Sequence, residues 1–145
     1  MSTPNPYSQY LRTSVETASP TKLVVMLYDG AIKFLLKAVP AVESKNYTEQ
    51  NLYLTKAQKI IAHLYGTLDY EKGGNVAVSL SSTYIKMYDM LTAAHIKDDV
   101  NRVNKVIHSL RELREAWVEV DKQMNILAAE PARAQSEARD LARAA

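Results

Sequence analysis

Hydrophobic residues recur at intervals of three and four along most of the chain, and this spacing predicts amphipathic helices. The first stripe begins at Leu23 and continues through Leu27 to Val42. A second apolar row, from Val24 to Val39, lies on the neighbouring face of the same helix. Because both faces need cover, we expect this helix either to lie centrally or to leave one face for another chain.

Three more segments, at 53–68, 77–94 and 103–127, repeat the same spacing. In the third segment, Tyr84, Met87 and Tyr88 fall on the predicted inner face. No stretch alternates apolar and polar residues as a half-buried strand would. The pattern therefore predicts an all-α protein, an antiparallel up-down-up-down four-helix bundle, because the connections are too short for any other order.

Capping residues mark where the first two helices begin. Ser19 is followed by Pro20, which suits the first helical position because it lacks only a backbone donor that would have no partner there. Asn46 stands three residues before Glu49, and this spacing resembles a capping box. Asp98 and Asp99 offer a cap and favourable charge before the fourth helix.

Glycine and proline mark the predicted helix ends. Gly73 and Gly74 can adopt the left-handed backbone that a helix end requires, so we expect the chain to reverse there. Pro40 should bend or end the first helix, and Pro131 should break the fourth. The resulting divisions are an arm at 1–18, a bundle at 19–127 with helices at about 19–43, 46–70, 75–95 and 98–128, and an Ala/Arg-rich, flexible or weakly helical tail at 129–145.

Composition and charge limit the classes of partner that we expect for this chain. The chain has 145 residues, enough for one domain, and 18 Lys and Arg against 16 Asp and Glu leave a net charge of only +2. We therefore expect no nucleic-acid partner, because such a site needs an uncompensated basic stripe. The absence of cysteine fits a reducing compartment, so the cytosol is expected. No segment resembles a secretory signal or a transmembrane helix, and no membrane insertion is expected.

The residues that commonly perform chemistry do not form a recognisable site. His63, His95 and His108 fall in different predicted helices, and none stands three residues after a glutamate as a di-iron bundle requires. No Gly-x-Ser-x-Gly turn is present, and the Gly73-Gly74-Asn75 stretch lacks the lysine of a phosphate-binding loop. We predict no catalytic residue, no metal ligand and no cofactor.

Tyrosine is unusually common, with nine copies against one phenylalanine and one tryptophan. A buried tyrosine hydroxyl must find a partner or lose about 1 to 3 kcal/mol of stability. The tyrosines therefore either lie at the boundary of the bundle with their hydroxyl groups in water, or form an adaptable binding surface together with the methionines.

Three stretches carry a family resemblance. The sequence YSQYLRTSVETASPTKLVVMLYDGAIKF at 7–34 closely resembles the amino-terminal signature of the flagellar secretion chaperones. The segments GGNVAVSLSSTYIKMYDML at 73–91 and DDVNRVNKVIHSLRELREAW at 98–117 are similar to that family's third-helix and last core-helix regions. The resemblance covers roughly residues 7–120.

The resemblance implies a cytosolic chaperone without enzymatic activity. Its client would be the disordered carboxyl-terminal segment of flagellin, which it would keep from polymerising early and deliver to the flagellar type III export apparatus. Other flagellar regulators are further possible partners. An alternative from a different class is a self-associating structural or regulatory bundle.

From the same resemblance we expect most of the functional residues to lie in the arm and the first helix. Gly30 either lets the second helix or the client approach closely or serves internal packing alone. Asp29 either accepts hydrogen bonds from the client or the arm, or faces water. The arm is expected to cover a groove in the empty chaperone and to move when the client binds. The residues predicted to bind flagellin or cover its groove are Tyr7, Tyr10, Leu11, Val15, Leu23, Met26, Leu27, Asp29, Gly30, Ile32, Tyr84 and Tyr88.

Overall fold

The protein is helical throughout the part that its computed structural model describes, which is residue 9 and residues 19–144, with the backbone alone beyond residue 124. The helices are α1 (Pro20–Glu43), α2 (Tyr47–Gly66), α3 (Tyr70–Lys97) and α4 (Val100–Ala144). No strand occurs among the residues described. The predicted all-α class is confirmed.

Contacts between neighbouring helices run in opposite chain order, which makes the helices antiparallel. Phe34 on α1 stacks on Tyr53 of α2, whereas Gly30, one turn earlier on α1, faces Ile60, two turns later on α2. The same reversal is found between α2 and α3 and between α1 and α4, in the pairs Gln50–His95, Gln58–Tyr88, Asp29–Arg114 and Thr21–Asp121.

The helices close into a ring, because α1 and α3 each pack against both α2 and α4. The outer seam between α1 and α2 therefore lies across the bundle from the seam between α3 and α4. This arrangement gives the molecule two well-separated sides, each formed by a different helix pair.

The predicted helix starts are found at Ser19 and Asn46. The Ser19 side chain accepts a hydrogen bond from the Lys22 backbone N–H at 3.2 Å, and the Asn46 side chain accepts from the Glu49 backbone N–H at 3.2 Å. Each bond satisfies a backbone donor that the first helical turn leaves free. Pro40 does not end α1, which continues to Glu43.

The chain reverses between α2 and α3 earlier than at Gly73 and Gly74, where the sequence predicted it. Helix α2 ends at Gly66, and Asp69 caps α3 by accepting from the backbone N–H groups of Glu71 and Lys72. This strong acidic cap starts a helical turn before the glycines are reached. Gly74 has the expected left-handed φ, +49°, but it forms a kink inside α3 instead of the reversal.

The fourth helix is longer than expected, since α4 continues through Pro131 to Ala144. Proline removes one backbone donor and crowds the preceding turn, which disfavours a helix interior. The residues on both sides of Pro131 are mainly Ala, Arg and Glu, which are among the strongest helix formers. Their helix propensity accounts for the helical backbone of residues 129–144, which the sequence predicted to belong to a flexible or weakly helical tail.

The core lies along the inner sides of all four helices. Its fully buried members include Tyr28, Leu35, Leu54, Ile61, Tyr84, Leu91, Val103 and Leu110. Among the side chains that the structure describes, the polar Gln50 is also buried, and its Nε2 donates to the His95 carbonyl and to Asp98 at the end of α3. Tyr88, which the pattern placed on the inner face, is instead 41% exposed.

None of the helices described between residues 20 and 144 is long and apolar enough to cross a bilayer.

Candidate binding surface around helix α3

Three recesses surround the middle of α3. The largest, about 850 Å³, lies between α3 and α4, the second, about 520 Å³, lies on the outer side of α3, and the third, about 150 Å³, lies between α2 and α3. The first and second share Lys86 and Met90, and the second and third share Ile85 and Asp89. The recesses therefore form one continuous surface, which we term the α3 surface and define by Tyr65, Ile85, Lys86, Tyr88, Met90 and Lys105.

Large apolar side chains stand exposed on this surface. Ile85 is 47% exposed, Tyr65 42% and Tyr88 41%. They remain outside because α3 already turns Tyr84 and Leu91 toward the core. Scattered exposed apolar residues are ordinary, but a contiguous group rimmed by polar residues is typical of a protein interaction site.

Small side chains create the depressions between these large ones. Ala62 lies in the recess between α2 and α3, whereas Ser82 and Ala93 lie in the outer recess. Because these residues are short, they leave depressions beside the protruding Ile85. Alternating large and small residues produce the ridges and grooves into which another helix can pack.

A buried tyrosine pair supports the α3 surface from beneath. Tyr84 lines the recess between α2 and α3, and its hydroxyl lies 2.5 Å from the hydroxyl of Tyr28 on α1. Both side chains are almost fully buried. Burial raises the pKa of each phenol, because the charged form would lose its hydration. The two hydroxyls therefore stay neutral and satisfy each other in the middle of the bundle.

The two unusual residues of α1 have partners within the bundle. Asp29 forms an ion pair with Arg114 of α4, and both side chains are partly exposed. This bond raises the pKa of the Arg114 guanidinium. A Cβ atom at Gly30 would lie 3.3 Å from Cδ1 of Ile60, which is tight contact with α2. This contact fits the alternative in which Gly30 serves internal helix packing, and a contact between Gly30 and the client stays a prediction.

The residues predicted from sequence fall into several groups. Tyr84 and Tyr88 meet at the recess between α2 and α3, whereas Ile32 is 8% exposed and belongs to the core. Leu23, Met26 and Leu27 are partly exposed on α1, away from the three recesses. Tyr7, Tyr10, Leu11 and Val15 lie outside the described residues. A binding role for all of these residues stays a prediction.

Sequence reasoning did not single out Ile85, Tyr65 or Met90. A signal for Ile85 was present, because Val78, Ile85 and Ile96 are separated by seven and eleven residues and so share one face of α3. All three are exposed. They are apolar residues outside the inner stripe, which indicates outward-facing apolar positions, and of the three only Ile85 lines one of the three recesses.

The histidines occupy surface and boundary positions. His63 is exposed, His95 contacts the Gln50 side chain, and His108 lies 3.0 Å from Glu112 on the solvent side of α4. Among the described residues, no group of three or more metal-ligating side chains comes together.

The chain is similar to known flagellar proteins over most of its length. The family model of the flagellar protein FliS matches residues 3–124. The chain is 37% identical to the flagellar secretion chaperone FliS of Bacillus subtilis over 117 residues, which cover 81% of this chain and 86% of the relative. It is 35% identical to the proteins of the same name from Campylobacter jejuni, over 79% of this chain and 89% of the relative, and Salmonella typhimurium, over 77% and 86%.

Proposed function

Because this chain belongs to the FliS family of flagellar secretion chaperones, we propose that it binds the disordered carboxyl-terminal segment of flagellin through the α3 surface. The family is one of chaperones and not of enzymes, so the protein has a chaperone role in flagellar export. Beyond this family role, we propose which client the protein binds, which surface binds it and what binding achieves. In the cytosol the chaperone prevents premature polymerisation and delivers its client to the type III export apparatus.

The observation that carries the proposal is the continuous exposed apolar surface around α3. An amphipathic helix binds by laying its apolar face into a groove, with anchors at intervals of three and four residues. The α3 surface offers such a groove between α3 and α4 and a second one between α2 and α3. A segment that becomes helical on binding can follow the surface from one groove to the other.

The rim of the α3 surface supplies polar partners. Lys86 and Lys105 line the groove between α3 and α4, and Asp89 lies where the other two recesses meet. Charges at the rim of an interface set orientation and association rate more than they set affinity. The apolar anchors therefore provide the affinity, whereas these residues fix the direction in which the client lies.

Binding of this kind is compatible with later release. Ordering a disordered client costs about 2 to 5 kcal/mol, which lowers the net affinity for a given buried area. Met87 and Met90 line the groove between α3 and α4, and methionine repacks readily around different side chains. A large but adaptable contact can cover the client fully and still let it go at the export apparatus.

The arm and the start of α1 extend the proposed site. Leu23, Met26 and Leu27 are partly exposed on the first turns of α1. We include them, together with Tyr7, Tyr10, Leu11 and Val15 of the arm, as residues that cover the groove of the empty chaperone or contact the client. Other flagellar regulators are further proposed partners.

Mixing the full chain with full-length flagellin and separating the mixture by size exclusion tests this function. The proposal predicts a complex of one chaperone and one flagellin and fewer flagellin polymers in the mixture. A homo-oligomer that ignores flagellin would instead favour a self-associating structural or regulatory bundle. The variant Ile85→Asp should lose the complex, whereas Ile96→Asp, on the same helix but outside the three recesses, should keep it.

A further inference from the structure

The two helices that form the outer seam, α1 and α2, carry four exposed lysines within residues 30–42 and 50–68. Lys33 and Lys37 lie on α1, and Lys56 and Lys59 lie on α2. Residues 30–42 and 50–68, which contain them, include no Asp or Glu. These four are part of only 18 basic residues against 16 acidic ones in the chain, so the rest of the molecule is net acidic. We term this region the basic seam.

An aromatic pair lies at the centre of the basic seam. The rings of Phe34 on α1 and Tyr53 on α2 are stacked with centroids 6.4 Å apart, and both side chains are partly exposed. The Lys37 ammonium lies 5.6 Å from the Tyr53 ring centroid, and the Lys56 ammonium lies 5.2 Å from that of Phe34. Each lysine therefore reaches across the seam, and the pair of rings holds two positive charges close together.

These lysines have no acidic partner among the side chains that the structure describes. The ion pairs found there involve Asp29, Asp99 and Glu112, none of which bonds to a lysine of the basic seam. Cation–π contact at an exposed site is weak and leaves most of the ammonium open to other groups. The basic seam is thus an uncompensated positive surface with an apolar centre.

From this arrangement we propose that the basic seam docks an acidic amphipathic helix of a partner protein. Lys33 and Lys37 are four residues apart on α1, and Lys56 and Lys59 are three apart on α2, so each pair spans about one helical turn. Carboxylates one turn apart on a partner helix repeat at the same distance. An apolar side chain between them would cover Phe34 and Tyr53.

A polypeptide fits the basic seam better than the other polyanions. The seam contains no arginine, the residue that recognises phosphate through paired hydrogen bonds. The aromatic rings lie between two helices instead of projecting outward, so they are poorly placed to enter a lipid surface. The basic seam also lies across the bundle from the groove between α3 and α4, so both can be occupied at once.

Two synthetic peptides of about 20 residues test the proposal, one with glutamates repeating at three and four residues around leucines and one with the same composition in scrambled order. Binding to the full chain is measured by fluorescence anisotropy at two salt concentrations. The variant carries Lys33→Gln, Lys37→Gln, Lys56→Gln and Lys59→Gln. The control loses the same charge elsewhere, through Lys45→Gln, Lys72→Gln, Lys97→Gln and Lys122→Gln.

The proposal predicts that the patterned peptide binds more tightly than the scrambled one and loses at least about tenfold in affinity in the seam variant, because each exposed ion pair contributes a factor of about two to five. The control variant should lose much less. Lys37→Gln with Lys56→Gln alone should show an intermediate loss. Equal binding of the two peptides, equal loss in both variants, or binding of polyuridylate RNA or anionic vesicles in place of the peptide would overturn the proposal.

Discussion

The hydroxyl of Tyr28 on α1 lies 2.5 Å from the hydroxyl of Tyr84 on α3, and the two form a hydrogen bond across the centre of the bundle. Their ring centroids are 6.5 Å apart. The pair links α1 and α3, which lie diagonally opposite in the ring. Because Tyr84 also lines the recess between α2 and α3, this bond connects core stability to the proposed binding surface.

The tyrosine pair should behave as one energetic unit. Tyr28→Phe or Tyr84→Phe leaves the other hydroxyl buried without its partner, so each should lower the free energy of unfolding by about 1 to 3 kcal/mol. The double Phe variant removes both hydroxyls and should cost clearly less than the sum. Urea denaturation of all four proteins measures this coupling. Additive costs would show that the hydroxyls do not depend on each other.

Alkaline pH should destabilise the protein through the same pair. Both phenol pKa values are raised in the folded state, so the stability they confer is complete below the unfolded-chain pKa of about 10 and is lost as the pH rises above it. The melting temperature of the natural protein should fall above pH 10 more steeply than that of the double Phe variant. Parallel curves for the two proteins would contradict this assignment.

Substitutions at Gly30 should distinguish internal packing from client contact. In Gly30→Ala, a gain of about 1 kcal/mol in helix propensity offsets the contact with the Ile60 side chain, so stability should change by less than about 1 kcal/mol. Gly30→Leu should cost about 1 to 3 kcal/mol through overpacking against α2. Urea unfolding gives both values. A Leu variant that kept full stability but lost flagellin would assign Gly30 to the client instead.

Local sequence signals predicted much of the fold, because capping and periodicity act within one or two turns. Ser19 and Asn46 cap the helices that they were expected to cap. The end of α2 was misplaced because two competing signals lie close together, and the carboxylate of Asp69 acts before the glycines. Pro131 was predicted to break the fourth helix from its own residue type alone. The helix continues through it because its neighbours have high helix propensity.

The candidate site was less predictable, because surfaces combine residues that are distant in sequence. The α3 surface depends on which apolar residues the core leaves exposed. For that reason the prediction that Tyr88 lies on the inner face was wrong. The basic seam was missed because net charge sums over the whole chain. Lys37 and Lys56 reach across the seam only after α1 and α2 pair, so the total of +2 hides a concentrated positive region.

Calorimetric titration with the last roughly 40 residues of flagellin, enough for about 60 Å of helix at about 1.5 Å per residue, tests the central claim most directly. Ile85→Asp and Ile96→Asp both place a charge at an exposed position of α3, so both should keep the natural melting temperature. The α3 surface predicts binding to the natural chain and to Ile96→Asp, with at least about a tenfold loss for Ile85→Asp. Equal affinity of the two variants, with both folded, would contradict it.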